Sequence, residues 1–257
     1  MDDVRTIALN TFRESMRSKL MYSVLFFAAL LVAVSALLGS VTIGDQVKVI
    51  KDFGLFAISF FSVAYAVISG ATLLNKELSR KTIYNILAKP VPRWKFLFGK
   101  YCGMLLTVSL MVALMAGALL AFTFFFDRRI DWLLLQACFF VVLQLAVICA
   151  CTIFFSSIVV TPLLSGAFSF AIFLAGRSTD YLLRFVEQSE PGSIARLALS
   201  AAYTGLPHLN MLDVSYAAVY GLPSSAAAMM WGALYSCAYA GVLLVLANLI
   251  FARREFN

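Results

Sequence analysis

Five long runs without a charged residue constrain the fold of this chain more than any other feature. They are Leu20–Gly44, Phe53–Asn75, Tyr101–Phe126, Trp132–Gly176 and Val214–Ala252. Uncharged runs of about 18 residues or more are long enough to cross a bilayer. Within hydrocarbon only helices and closed barrels satisfy their own backbone, and these runs lack the alternation of barrel strands. The sequence therefore predicts an all-α integral membrane protein with several spans.

The composition agrees, and it changes how the net charge is interpreted. Only 13% of the residues are charged, whereas a soluble domain has about 25%. The formal net charge is +7, but the positive residues are sorted by loop, as in membrane proteins. We therefore expect no nucleic-acid partner, and we expect membrane lipids as neighbours.

The longest run must fold back on itself. Trp132–Gly176 has 45 uncharged residues, and as one helix it would be about 68 Å long, roughly twice the hydrocarbon core of about 30 Å. Ser156-Ser157 suggests the turn, and Thr161-Pro162 is typical of a helix start. We therefore predict six spans within one domain, 1–257, near residues 20–42, 53–75, 100–126, 132–155, 161–177 and 226–251.

The distribution of charge predicts the orientation. The N-terminus, the 76–100 loop and the C-terminus together hold 13 of the 20 Lys and Arg residues and five of the 13 acidic residues, a net charge of +8. The remaining loops carry −1. The positive-inside rule then places both termini of this multi-pass membrane protein in the cytoplasm.

Two segments outside the spans are predicted to be helical. Residues 1–19 form an amphipathic helix that we expect in the plane of the membrane interface. Its apolar face carries Val4, Ile7, Ala8, Phe12 and Met16. Residues 178–213 form an outer segment of two short helices resting on, or dipping into, the outer leaflet. A disordered loop is the alternative, and the segment is too apolar to favour it.

The third segment, "KELSRKTIYNILAKPVPRWKFLFGK" at 76–100, carries seven Lys and Arg residues. Glu77 can pair with Arg80 and Lys81 at helical spacing. Ile83, Ile86 and Leu87 form an apolar stripe, and prolines end the helix. Topology explains the charge, whereas the stripe needs a partner surface or lipid headgroups.

This segment resembles the loop after the second span in permeases of the type-2 ABC exporter family. The matching positions are Glu77, Thr82-Ile83, Leu87, Pro90 with Arg93, and Gly99-Lys100. The likeness extends over the whole chain and is closest to single-domain permeases such as that of the nitrous-oxide-reductase maturation system.

The resemblance implies that the segment is a coupling helix docking in a groove of a separate ABC ATPase. Two permease copies and two ATPases would form the working unit, as a homodimer or heterodimer of permeases. The coupling residues would be Glu77, Arg80, Lys81, Thr82, Ile83, Ile86, Leu87, Pro90, Arg93 and Gly99. No G-x-x-x-x-G-K-[ST] phosphate loop occurs in the sequence, so ATP and Mg would bind to the partner, and this chain would hold no cofactor and be no enzyme.

Other chemistry has little support. Apart from Lys100 and Arg177, at the ends of two spans, the predicted spans contain no Asp, Glu, Lys, Arg or His, which disfavours a proton-coupled transporter, an intramembrane protease and a metal site. Met104, Met111 and Met115 share one helix face. A copper-binding thioether ladder is conceivable there, but lipid-facing or packing methionines are favoured because no His or Cys cluster joins them.

Polar and aromatic residues of the spans are candidates for a substrate path. Gln144 lies near mid-membrane, where a hydrogen bond between helices is favoured over substrate contact. The other candidates are Gln136, Phe56, Phe60 and Asn248. Small residues at four-residue spacing allow close helix contacts within one copy or at a dimer seam. These sets are Ser62, Ala66 and Gly70; Ala113, Gly117 and Ala121; Gly232, Ser236 and Ala240; and Gly99 and Gly103.

Three functions remain open at this stage. The first is the permease of an ATP-driven exporter. The second is mechanotransmission, in which the same fold passes ATPase strokes to a periplasmic protein and moves no solute. The third is a membrane enzyme or a passive channel.

Overall fold

The computed structural model describes residues 2–41, 46–79, 92–128, 131–159, 161–188, 194–222 and 225–253. Within these ranges every regular element is a helix, and no strand occurs. The helices are α1 (Asp2–Met16), α2 (Lys19–Val41), α3 (Gln46–Ser79), α4 (Arg93–Asp127), α5 (Trp132–Ile158), α6 (Pro162–Arg177), α7 (Thr179–Gln188), α8 (Ile194–Gly205), a 3₁₀ turn (Leu209–Leu212), α9 (Ser215–Tyr220) and α10 (Ala226–Arg253). The all-α prediction is therefore confirmed for the described residues.

Four helices are long and apolar enough to cross a membrane, and they correspond to α3, α4, α5 and α10. A fifth is obtained if α1 and the first part of α2, which meet at a bend of 60°, are counted as one span. The apolar helix α6 has 16 residues, about 24 Å, which is shorter than a bilayer core of about 30 Å. Each of the six predicted spans coincides with a helix, while the number six stays a prediction.

The predicted fold-back of the longest run is confirmed. α5 ends at Ile158 and α6 begins at Pro162, with Thr161 at the N-cap and proline in the first turn. The Thr161 side chain makes no capping hydrogen bond. The fixed backbone of proline, which needs no N–H partner in the first turn, accounts for the start of α6.

α5 is the central helix of the bundle. It packs against α3, α4, α6 and α10, while α1 packs along α4 and α2 along α3. At its start, Asp131 caps the helix by accepting a hydrogen bond from the Leu133 N–H at 3.0 Å, and it forms an ion pair with Lys51 of α3 at 2.5 Å. The core therefore forms around α5, with α3 and α10 held against it.

The small-residue sets divide between the interior and the surface. A Cβ on Gly70 would lie 2.7 Å from both Met104 and Thr152, and one on Gly232 would lie 3.0 Å from the Phe140 ring. These two sets are therefore packing faces within one copy. The residues Ala113, Gly117 and Ala121 on α4 are instead exposed. Met104, Met111 and Met115 are buried in the core, as expected for packing methionines.

The described residues of the outer segment are mostly helical, and hydrogen bonds join the segment to the middle of α10. The hydroxyl of Tyr239, the fourteenth residue of α10, donates a hydrogen bond to the Gly205 carbonyl at 2.9 Å. A Cβ on Gly176 of α6 would lie 2.5 Å from the Pro207 carbonyl oxygen. The end of α8 and the bend after it thus lie between the end of α6 and the middle of α10.

Candidate functional site

The segment 76–100 falls only partly within the described residues. α3 continues as a helix to Ser79, and the description resumes at Pro92. Arg93 and Gly99 are therefore described, and they place the C-terminal part of the segment. The Glu77 side chain and the following predicted coupling residues lie outside the described part: Arg80, Lys81, Thr82, Ile83, Ile86, Leu87 and Pro90.

Arg93 opens α4 and binds the end of α10. Its Nη1 donates a hydrogen bond to the carbonyl oxygen of Phe251 at 3.0 Å. The rings of Phe96 and Phe251 stack with their centroids 6.3 Å apart. A helix cannot satisfy its last carbonyls internally, and a cation is favourable at that end. The arginine of the motif therefore joins the start of α4 to the end of α10.

Gly99 and Gly103 form a seat on α4 for the N-terminal helix α1. A Cβ on Gly99 would lie 2.9 Å from the Ile7 Cβ, and one on Gly103 would lie 2.6 Å from the Ala8 carbonyl oxygen. Thr11 is fully buried in this contact, and its hydroxyl donates to the Ile7 carbonyl at 2.9 Å. Only glycine lets the two backbones approach this closely.

A salt bridge marks the first turns of the same two helices. Lys95 Nζ lies 3.0 Å from Asp3 Oδ2. The hydrogen bond from Lys95, together with its charge, lowers the pKa of Asp3 below the ordinary value of 3.8. Both side chains are partly exposed, so the pair contributes little stability. The contacts of Asp3, Ile7 and Ala8 with successive turns of α4 show that the two helices run parallel.

Lys100, which follows Gly99 in the motif, points into the protein. The residue is only 4% exposed. Its Nζ lies 5.8 Å from the centroid of the Phe96 ring, within the range of a cation–π contact. Arg93, Gly99 and Lys100 thus all make contacts within the chain, and these contacts unite α1, α4 and α10 at one end of the bundle.

The residues predicted for a substrate path do not form one cluster. Phe56 and Phe60 are exposed on α3 and stack on each other with centroids 5.7 Å apart. Gln144 is 2% exposed inside the bundle, and its Nε2 has no hydrogen-bond partner among the described residues. Gln136 and Asn248 are half-buried on α5 and α10.

An apolar groove of about 540 Å³ runs between α3 and α6. Phe60 lines it on the α3 side, and Pro162 and Phe170 line it on the α6 side. Thr72 is the polar residue of the lining, and its hydroxyl donates to the carbonyls of Ile68 and Ser69 of its own helix. The groove can therefore hold an apolar chain or ring and offers almost no polar recognition.

Ionic contacts tie the outer segment to the bundle. Arg177, at the end of α6, forms an ion pair with Asp213 and donates a hydrogen bond to the Ser59 hydroxyl at 3.3 Å. Asp213 also accepts a hydrogen bond from the Ser215 N–H at 3.2 Å. The sequence showed these charges only as loop residues, because the pattern gives no distance between positions so far apart in the chain.

Tyr235 and Tyr239 are functional candidates that the sequence analysis missed. The Tyr235 oxygen accepts a hydrogen bond from the His208 N–H at 2.8 Å, and Tyr239 donates to Gly205. Their four-residue spacing places both on one face of α10. That spacing was the available signal, but within an apolar run it equally fits lipid-facing aromatics.

One comparison with known proteins identifies a relationship. A model of the family described as "ABC-2 family transporter protein" matches residues 5–256. A search of curated proteins found no match. The family match covers nearly the whole chain, including all the helices that form the site.

Proposed function

Because the chain belongs to the ABC-2 transporter family, whose members are membrane components of ABC transporters, we propose that it is the permease subunit of an ATP-driven exporter. A separate ABC ATPase supplies the energy. The observation that carries the proposal is the joint anchoring of the α4 start, where Arg93 holds α10 and the glycine seat holds α1. If the ATPase displaces residues 76–100, contacts that hold the start of α4 to α1 and α10 would pass the displacement on to these helices.

Coupling takes place at residues 76–100 in this proposal. The apolar stripe of Ile83, Ile86 and Leu87 enters a groove of the ATPase, and Arg80 and Lys81 meet acidic groups at its rim. Two ATPase copies bind ATP and Mg. The described end of the segment, from Pro92, continues directly into α4, so movement of the loop acts on α4 without an intervening flexible linker.

The proposed topology has six spans in the inner membrane, with both termini on the cytoplasmic side. Support comes from the grouping of α1, the α4 start and the α10 end at one pole of the bundle. The Lys51–Asp131 pair lies near the start of α3 and α5, at the opposite pole. Charged residues predicted to be cytoplasmic and charged residues predicted to be outside therefore lie at opposite poles of the bundle, which supports the proposed topology.

A second copy of the permease is part of the proposal. The α4 face with Ala113, Gly117 and Ala121 is exposed, and a Cβ on Gly117 would have nothing within 4 Å. Small residues allow close helix contact in a membrane, so this face is suited to a seam between two permeases, identical or different.

The α3–α6 groove is the proposed site for cargo within one copy. Its lining is apolar, which favours a lipophilic substrate, or the lipophilic part of one. Of the predicted path residues, Phe60 lines the groove, and the ring of Phe56 stacks on the ring of Phe60. Apolar burial would provide the affinity, at about 25 cal/mol per Å² of buried area.

Mechanotransmission to a periplasmic protein is the second candidate. It is favoured by apolar side chains exposed on the outer segment, namely Tyr181, Phe185 and Leu197. In this alternative the ATPase stroke ends in a protein docked on α7 and α8, and no solute moves.

Co-purification and reconstitution test the proposal. The permease is co-expressed with an ABC ATPase subunit of the same organism, the complex is isolated, and ATP hydrolysis is measured in proteoliposomes with and without the permease. We expect a stable complex and an altered hydrolysis rate. An ATPase that neither binds the permease nor changes its rate would contradict both candidates, whereas a required periplasmic protein would favour the second.

A further inference from the structure

α10 makes specific contacts at two distant levels of the bundle. At its C-terminal end the Phe251 carbonyl accepts the Arg93 hydrogen bond, and the Phe251 ring stacks on Phe96. Both partners belong to the first turn of α4, directly after the coupling loop. Displacement of this turn therefore acts on α10 as well as on α4.

Further along, α10 holds the outer segment by two hydroxyl groups. Tyr239 donates to the Gly205 carbonyl at the end of α8, and Tyr235 accepts from the His208 N–H in the bend that follows. Both bonds are made to backbone atoms, so they fix the path of the segment. Among the described residues α8 packs mainly on α7, and the hydrogen bond from Tyr239 joins its last residue to α10.

The helix between the two contacts is continuous. Tyr239 and Phe251 are twelve positions apart in α10, a rise of about 18 Å, and no proline interrupts them. The buried face of α10 carries three small residues, Ser236, Ala240 and Ala247, with Leu243 packed against the core beside them. Packed helices can slide past one another by small shear movements, and small side chains interlock less than large ones.

We propose that α10 transmits displacement of the coupling segment to the outer segment, with Arg93 and Phe251 as its input contact and Tyr235 and Tyr239 as its output contacts. This inference rests on the proposed function, because an ATPase must move the coupling segment. It adds a second output to the movement of α4. The tyrosines act as positioning residues through Gly205 and His208.

The test follows the outer segment in the reconstituted complex. Leu197 on α8, which is 73% exposed, is replaced by cysteine in a cysteine-free background and labelled with an environment-sensitive fluorophore. The fluorescence change on adding Mg and a non-hydrolysable ATP analogue is recorded beside the ATPase rate. We expect Tyr235→Phe with Tyr239→Phe to reduce this change by at least about half, with ATPase binding retained.

Two comparisons make the test specific. Tyr216→Phe removes a hydroxyl from another outer tyrosine, whose ring packs on Tyr220, and should leave the signal unchanged. Arg93→Gln should also weaken the signal. Combined with Tyr239→Phe it should add little beyond the larger single effect, because residues in one transmission path are not additive.

The outcomes separate the inference from the proposed function. If the complex forms and hydrolyses ATP but the label at position 197 does not respond, or responds fully in the double tyrosine variant, the inference is wrong and the permease assignment stands. If the ATPase does not bind at all, the proposed function fails and the inference fails with it.

Discussion

Gly103 of α4 lies so close to Ala8 of α1 that a Cβ on Gly103 would come within 2.6 Å of the Ala8 carbonyl oxygen. We therefore expect Gly103→Ala to lower the free energy of unfolding by about 1–3 kcal/mol, as overpacking typically does. Thermal unfolding in detergent, followed by tryptophan fluorescence, measures the change. The matched control is Gly241→Ala, because a Cβ there has nothing within 4 Å and alanine favours the helix by about 0.5–1 kcal/mol. Equal behaviour of the two variants would refute the close seat.

The Asp3–Lys95 pair predicts a defined pH dependence. Lys95 lowers the pKa of Asp3 below 3.8, so the contribution of the pair is present above the unfolded-state pKa and is lost as the pH falls through the folded-state pKa. Carboxyl NMR of the labelled protein should show Asp3 titrating below 3.8, and Lys95→Met should return its pKa toward that value. An Asp3 pKa that Lys95→Met does not change would argue against the contact.

The coupling stripe is tested by residue type. Ile83→Asp or Leu87→Asp should detach the ATPase or uncouple its hydrolysis, since burying an unpaired carboxylate costs several kcal/mol. Asn85→Asp is the control, because it adds the same charge off the stripe of the predicted helix. Binding of the ATPase and its hydrolysis rate are measured for all three. Full binding and full activity in the stripe variants would leave only a topological role for the loop.

The topology is tested by labelling single cysteines with an impermeant thiol reagent in intact cells. The background lacks Cys102, Cys138, Cys149, Cys151 and Cys237. Cysteines at Asp45, Arg128 and Glu187 should label from outside, whereas those at Lys81, Lys95 and Arg254 should label only after the cells are opened. Labelling of Lys81→Cys from outside would rule out the six-span arrangement.

The proposed seam predicts cross-links between two copies. Gly117→Cys and Ala121→Cys should form disulfide-linked dimers in membranes on mild oxidation, because both positions are exposed on α4. Ala137→Cys is the control, since Ala137 is buried inside one copy. Monomers at every position of the α4 face would place the seam elsewhere.

The sequence predicted the helical class, because uncharged apolar length indicates it, and the break before Pro162, because the run is too long for one span and Thr-Pro is typical of a helix start. It did not predict that α1 packs parallel on α4. The amphipathic face of residues 1–19 fits a membrane interface and a partner helix equally well, and nothing in the pattern of Ile7 and Ala8 names Gly99 and Gly103 as partners.

For the candidate site, the sequence indicated some of the residues but not their contacts. The motif marked Arg93 as important, but its hydrogen bond to Phe251 joins residues 158 positions apart, a relation that local spacing does not contain. Tyr235 and Tyr239 were missed for the same reason. Their hydroxyls are meaningful only once the outer segment is folded back against α10.

The seat of α1 also has a consequence for how the protein is made. α1 leaves the ribosome before α4, because Gly99 and Gly103, against which it packs, are synthesised more than ninety residues later. At roughly 5–20 residues per second, translation takes about 5–20 s to cover that distance. During this interval the α4 surface that α1 packs against does not yet exist, and the amphipathic face of α1 is suited to the membrane surface. α1 can therefore dock on α4 only after the first turns of α4 have been synthesised.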